Sequence, residues 1–143
     1  MEINEAKNYR QSVVSLLSLE KLPVDDLPAS LDNFIVAIKN SVVIGAAGLE
    51  IYGDYGLLRS LVINPAHRKQ GTANKLLQQI ETLAKSNGLK TIYLLTETAP
   101  EYFHRKNYTK VTRAEVPVEV QQSSEFTYAC PLSALVMKKT LSA

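Results

Sequence analysis

Cysteine and histidine are scarce in this chain, and neither sign of charge dominates. Cys130 is the single cysteine among 143 residues, so no internal disulfide can close, and a reducing cytoplasm is the compartment that fits. The two histidines, His67 and His104, are isolated and make no zinc-ligand spacing, so no metal is expected. The 16 Lys and Arg against 14 Asp and Glu leave a formal net charge of +2, too small to argue for a nucleic-acid partner. Basic residues run together only in the two HRK runs, His67-Arg68-Lys69 and His104-Arg105-Lys106, and in Met137-Lys138-Lys139. No apolar run approaches the ~20 residues of a membrane span, so no membrane partner is expected. The opening MEINEAKNYRQ has neither a basic start nor an apolar core and does not read as a secretory leader. Internal repeats and low-complexity segments are missing too. What is present, 45% hydrophobic and 21% charged residues, is the composition of a soluble globular protein, read as one domain over 1–143.

The apolar pattern gives the order of elements. Met1 to Ile3 is a short strand, and Asn8 to Leu19 a helix with Val13, Val14, Leu16 and Leu17 on one side. LPVDDLP (22–28) is a loop marked by two prolines. Three strands follow, 33–39, 42–52 and 57–63, joined by the short turns KNS and GDYG, which predicts an antiparallel meander. From Thr72 the residues Ala73, Leu76, Leu77, Ile80, Leu83 and Ala84 keep the spacing of one buried helix face. Lys75, Gln78, Gln79 and Lys85 point away, and Gly88 suits a left-handed stop. TIYLLT (91–96) is a buried strand, and the strand–helix–strand length predicts a parallel neighbour for 57–63. Ala99 to Lys106 is a short helix, ended at Asn107, which tolerates left-handed geometry. YTKVTRA and ALVMKKTL are the last strands, with a longer connection between them that turns helical over 118–122.

The helix opening at Thr72 is preceded by Arg68-Lys69-Gln70-Gly71, which puts positive charge at the positive end of the helix dipole. That is mildly unfavourable for the helix alone and calls for an anion. Arg68-Lys69-Gln70-Gly71-Thr72-Ala73 fits R/Q-x-x-G-x-G/A, with alanine at the second small position. Gly71 lets the backbone approach a phosphate without a side chain in the way. The free N–H groups of the first turn then point at it, with about half a positive charge between them. A pyrophosphate is the anion this arrangement suits.

Other residues have two readings. Glu50 stands at the end of an apolar strand, either as an edge position facing water or as a carboxylate that takes a proton from an attacking amine. Arg59 interrupts LLRSLVI, either in an ion pair with Glu50 or Asp54 or as a fork for a substrate carboxylate. Cys130 reads as a small buried hydrophobe. His67 and His104 read as surface residues.

With these motifs in place the chain resembles the GNAT acetyltransferases over nearly its whole length. TETAPEYFHRKNY resembles the family element that follows the second parallel strand, and Ala99, Lys106 and Tyr108 carry the match. Thr96 stands where asparagine is usual, Asn107 where glycine is usual, and Phe103 where many members carry a proton-donating tyrosine. More narrowly, LLRSLVINPAHRKQG, YLLTETAPEYF and SSEFTYACPLSALVMKK resemble the amino-acid acetyltransferases linked to arsenic resistance, and N-acetylglutamate synthase domains. The resemblance implies an α/β fold: a mixed, mostly antiparallel sheet flanked by helices, with 57–63 and 91–96 as two central parallel strands that splay apart. It implies acetyl-CoA as cosubstrate. Pantetheine would run along the backbone of Leu61, Val62 and Ile63, and the pyrophosphate would rest on Gln70 to Ala73 with Arg68 and Lys69 at the rim. Thr96, Phe103 and Lys106 would complete the cofactor site. Glu50 would be the base, Arg59 and Tyr102 would face a small-molecule amine, and Tyr102-Phe103 would wall the thioester channel. An acetyltransferase acting on protein N-termini or lysines, and a CoA-binding module without turnover, stay open as alternatives. So does the oligomeric state, a homodimer included.

Overall fold

A computed structural model describes residues 1–123, Phe126 and 134–141. Cys130 lies outside them. The elements are β1 (Glu2–Glu5), α1 (Arg10–Leu19), β2 (Phe34–Lys39), β3 (Val42–Tyr52), β4 (Tyr55–Ile63), α2 (Thr72–Ser86), β5 (Thr91–Thr96), α3 (Pro100–Arg105), β6 (Thr109–Val111), α4 (Val118–Gln121) and β7 (Leu135–Thr140), with single 3-10 turns at Pro65–His67 and Arg113–Glu115. The strands form one sheet in the order β1-β2-β3-β4-β5-β7-β6. Pairing is antiparallel for β1–β2, β2–β3, β5–β7 and β6–β7, and parallel for β4–β5. The mixed, mostly antiparallel sheet with helices is the fold class expected.

By its contacts the chain divides into two compact units, Met1–Leu49 with Leu58–Leu83, and Glu50–Leu57 with Ala84–Ala143. In the first, α1 contributes Val13, Leu16 and Leu17 to a core with Leu27, Leu31, Phe34, Val36 and Val62. The β2–β3 turn places Asn40 at φ 52° and Ser41 at φ 65°. Two successive left-handed residues are the requirement of a tight hairpin whose twist matches its strands. Leu76, Leu77 and Ile80 of α2 are 0%, 2% and 0% exposed, so the buried face is the one the spacing specifies. Gly45 of β3 permits close packing there. A Cβ on it would lie 2.8 Å from Ile63 Cδ1 and 3.2 Å from Leu76 Cδ1, tighter than carbon atoms tolerate.

In the second unit β5 pairs with β7 over its whole length, from Thr91–Thr140 to Thr96–Leu135. Its parallel register with β4 is Tyr55–Thr91, Gly56–Ile92 and Leu57–Tyr93. Leu57, Tyr93, Val116, Val120 and Val136 form the core. Gly88 and Asn107 take φ 72° and 73°, the left-handed ends expected of their helices. The strand expected over 108–114 is shorter. It stops at Val111, because Thr112 Oγ1 donates to Glu115 Oε1 at 3.1 Å and the chain curls into a 3-10 turn.

Candidate active site

The turn before α2 is built from its own side chains. Asn64 Oδ1 accepts the Ala66 N–H at 2.9 Å and starts the 3-10 turn Pro65–His67. Arg68 is extended, Lys69 is left-handed at φ 63°, and Gly71 is left-handed at φ 78°. Left-handed geometry costs an ordinary residue about 1–2 kcal/mol, so glycine is the residue this position selects. No atom lies within 4 Å of where a Gly71 Cβ would sit, so the space beside its backbone is open. The helix starts as the Lys75 N–H reaches the Gly71 carbonyl at 3.2 Å. The amides of Thr72 and Ala73 therefore open α2 with no acceptor inside it. Thr72 is buried, while Arg68, Lys69, Gln70 and Gly71 are exposed. Arg68 is not a bare charge at the rim: its Nη2 is paired with Glu20 Oε1, at the end of α1.

Arg59 is engaged by a carboxylate of its own chain. Its guanidinium is forked onto Asp26, with Nη1 to Oδ2 at 2.7 Å and Nη2 to Oδ1 at 2.8 Å. Nε also donates to Ser60 Oγ at 3.0 Å. The two side chains are 0% and 1% exposed. Asp26 is a partner that lies outside the two acids, Glu50 and Asp54, considered from the sequence. Both prongs of the fork are engaged, as in the buried-ion-pair reading of Arg59 but with Asp26 as a partner. Next to it Ser60 takes φ 60° in the middle of β4, a left-handed residue that breaks the extended run. Leu61, Val62 and Ile63 follow it, with Val62 5% exposed.

In the second unit Glu50 is half-buried and accepts a 2.6 Å hydrogen bond from Tyr52 Oη. Residues i and i+2 of a strand face the same side, so this phenol is the neighbour a carboxylate at 50 acquires from the strand alone. Thr96, at the end of β5, is 8% exposed and accepts the Ala99 N–H on Oγ1 at 3.1 Å, just ahead of α3. Phe103 is 7% exposed and sits edge-on between two rings, 5.2 Å from Tyr102 and 5.7 Å from Tyr108. Lys106 Nζ lies 5.7 Å from the Tyr102 ring centre, a cation–π contact. The pair Tyr102-Phe103 is thus a packed aromatic wall. The described residues hold no group of three His, Cys, Asp or Glu able to bind a metal. No helix among them is long and apolar enough to cross a membrane.

Sequence reasoning missed three partners. Tyr52 had a signal, its i+2 spacing from Glu50. Asp26 and Glu20 had none, because neither lies at helical or strand spacing from the arginine it binds.

Comparisons with known proteins agree with this architecture. An amino-acid acetyltransferase of Pseudomonas fluorescens is 30% identical over 93 residues, which is 64% of this chain and 22% of that protein. The chain thus spans about a fifth of the length of the curated relatives it matches. N-acetylglutamate synthase from Neisseria gonorrhoeae, crystallised with coenzyme A and N-acetyl-glutamate, superposes at TM-score 0.84 with 16% identity over 99% of this chain and 35% of that one. Rv2747 of Mycobacterium tuberculosis, crystallised with CoA, superposes at 0.83 with 21% identity over 99% of this chain and all of that one. Residues 8–110 match the model of the acetyltransferase (GNAT) family, and the chain belongs to that family.

Proposed function

We propose that the protein is an acetyl-CoA-dependent N-acetyltransferase that moves the acetyl group directly to the amine of a small amino-acid-like acceptor. The observation that carries this is the turn at 68–73: a left-handed Gly71 with open space beside it, followed by helix amides without internal acceptors. These features fit a pyrophosphate. Gln70 to Ala73 would hold it through backbone N–H groups, with Lys69 adding charge. Leu61 to Ile63 would offer backbone groups to pantetheine, and Thr96, Phe103 and Lys106 would line the remainder.

Acetyl-CoA supplies an activated acetyl thioester. The protein's own part is mainly placement, which turns a bimolecular encounter into a local one. Glu50 takes the proton of the amine, and Tyr52 fixes the carboxylate for that purpose. A backbone N–H of the 61–63 segment supports the oxyanion. An α-amino group titrates near 7.7–8.0, against about 10.4 for lysine, so an amino acid needs only a weak base. Phe103 carries no hydroxyl, so the departing thiolate takes its proton from a water or another donor. The amino-acid acceptor is supported by the names of the curated relatives and by the N-acetyl-glutamate in the gonococcal structure.

The test is CoA release with a panel of free amino acids beside a peptide panel. Release with amino acids above the rate of thioester hydrolysis is expected. Release with peptides alone would favour a protein acetyltransferase, and release with neither a binding module.

A further inference from the structure

One cavity has none of the residues assigned to the acetyl donor in its lining. It occupies about 390 Å³ between α3, β6 and β7. Small-ligand sites span ~300–1,000 Å³, so it has the size of one. Pro100, Leu135 and Met137 give it an apolar lining, and Glu101, His104, Arg105 and Lys110 stand around it.

The fold dictates this grouping. Lys110 of β6 is directly opposite Met137 of β7, so the two side chains share a face. Leu135 lies two residues from Met137 and shares it as well. On α3, at about 100° per residue, Pro100, Glu101, His104 and Arg105 fall on one half of the helix. Tyr102, Phe103 and Lys106 fall on the other. The cavity is therefore behind the helix whose opposite side is assigned to the cofactor and acceptor. Its lining residue Leu135 is also the cross-strand partner of Thr96, whose hydroxyl accepts the Ala99 N–H ahead of α3.

The chemistry selects a ligand class. Among the described residues none of Glu101, His104, Arg105 and Lys110 forms a salt bridge, so their charges are not spent on one another. With His104 neutral, Arg105 and Lys110 against Glu101 leave the rim one positive charge in excess. The Arg105 fork matches a carboxylate in shape. Met137 is 3% exposed and gives a fixed apolar floor.

We propose that this cavity is a second ligand site, taking a small amphipathic monocarboxylate with its anionic head at Arg105 and Lys110 and its hydrocarbon tail on Leu135 and Met137. It does not depend on the function proposed above.

The chain has two methionines, Met1 and Met137, so methyl-13C methionine labelling puts one reporter in the cavity and one at the exposed N-terminal residue. The full chain is titrated with 4-methylpentanoate and, in parallel, with the neutral 4-methylpentanamide. A saturable shift of Met137 alone is expected with the carboxylate, about ten-fold or more weaker with the amide, as loss of a charge-assisted contact implies. Arg105→Glu and Lys110→Glu should each weaken the carboxylate titration by a similar factor, with the unliganded Met137 resonance as the check on folding. Lys110→Gln, a milder change at an exposed position, serves if a reversal variant loses that resonance. Saturating CoA should leave the titration unchanged. The proposal is overturned by an absent shift, by equal binding of the amide, by charge variants that titrate like the parent, or by CoA abolishing the shift.

Discussion

Arg59 and Asp26, 33 residues apart in sequence, meet as a two-pronged ion pair with both side chains out of water. The pair ties β4 to the loop that follows α1. Removing one partner of a buried pair costs about 3–5 kcal/mol. Asp26→Asn and Arg59→Met should each lower stability by that order, read as a shifted midpoint in chemical denaturation. The double replacement should recover part of the loss. A single variant within about 1 kcal/mol of the parent would show that the pair is not structural, a level typical of exposed pairs.

Gly71 offers the direct test of the anion site. Gly71→Ala should cost about 1–2 kcal/mol through its left-handed backbone while leaving the amides in place. Gly71→Asp adds a negative charge where a pyrophosphate would rest, and CoA affinity should fall by about a hundred-fold, two charge-assisted contacts' worth. Calorimetry with CoA separates the two. If the aspartate variant binds as tightly as the parent, the turn is not the phosphate site.

Much of this arrangement is legible in the chain because periodicity is local. Strands Val42–Tyr52 and Thr91–Thr96 and the start of α2 at Thr72 fall where alternation and helix spacing put them. Asn107 and Gly88 are left-handed as their positions demand. What the chain conceals is long-range. Asp26 is one of two adjacent acids between prolines, and no spacing connects it to Arg59. Glu20 likewise reaches Arg68 only through the fold. An arginine in an apolar strand announces that some carboxylate is required, and Asp26 on the same chain supplies it. Thr112 to Glu115 shows a different limit, since a side-chain hydrogen bond there outcompetes the strand that the alternation suggests.

Alkaline pH should act on Tyr93. Burial, then the nearby Tyr55, raises its phenol above the ordinary value of 10.0. The unfolded chain therefore ionises first. The stability this tyrosine contributes is full below pH 10.0, is lost as pH climbs through the folded value, and favours unfolding above that. Tyr93→Phe should flatten the fall in stability above pH 10.0 and leave it unchanged at neutral pH apart from a small packing term. Denaturation midpoints at pH 7 and 11 check it, and identical alkaline slopes in the two proteins would refute the assignment.

Glu50 and Tyr52 are joined by a 2.6 Å hydrogen bond on one face of β3. If Glu50 takes the amine's proton, the two residues should differ in kinetic weight. Removal of a general base costs ~10²–10⁴-fold in the usual case, and the low basicity of an α-amino group pushes this protein to the small end. Glu50→Gln should therefore lower kcat/KM for an amino acid by about a hundred-fold, with less effect at high pH where the free amine is already abundant. Tyr52→Phe removes only the phenol that fixes the carboxylate and should cost about three- to ten-fold, within the ~0.5–1.5 kcal/mol of one typical hydrogen bond. Phe103→Tyr should stay within a few-fold of the parent, since the wall it belongs to packs and does not donate. The decisive measurement is the Glu50→Gln rate across pH 6 to 10. A deficit that stays constant over that range would mean the carboxylate supports the site without accepting the proton. A Glu50→Gln rate equal to the parent at every pH would remove Glu50 from the mechanism altogether.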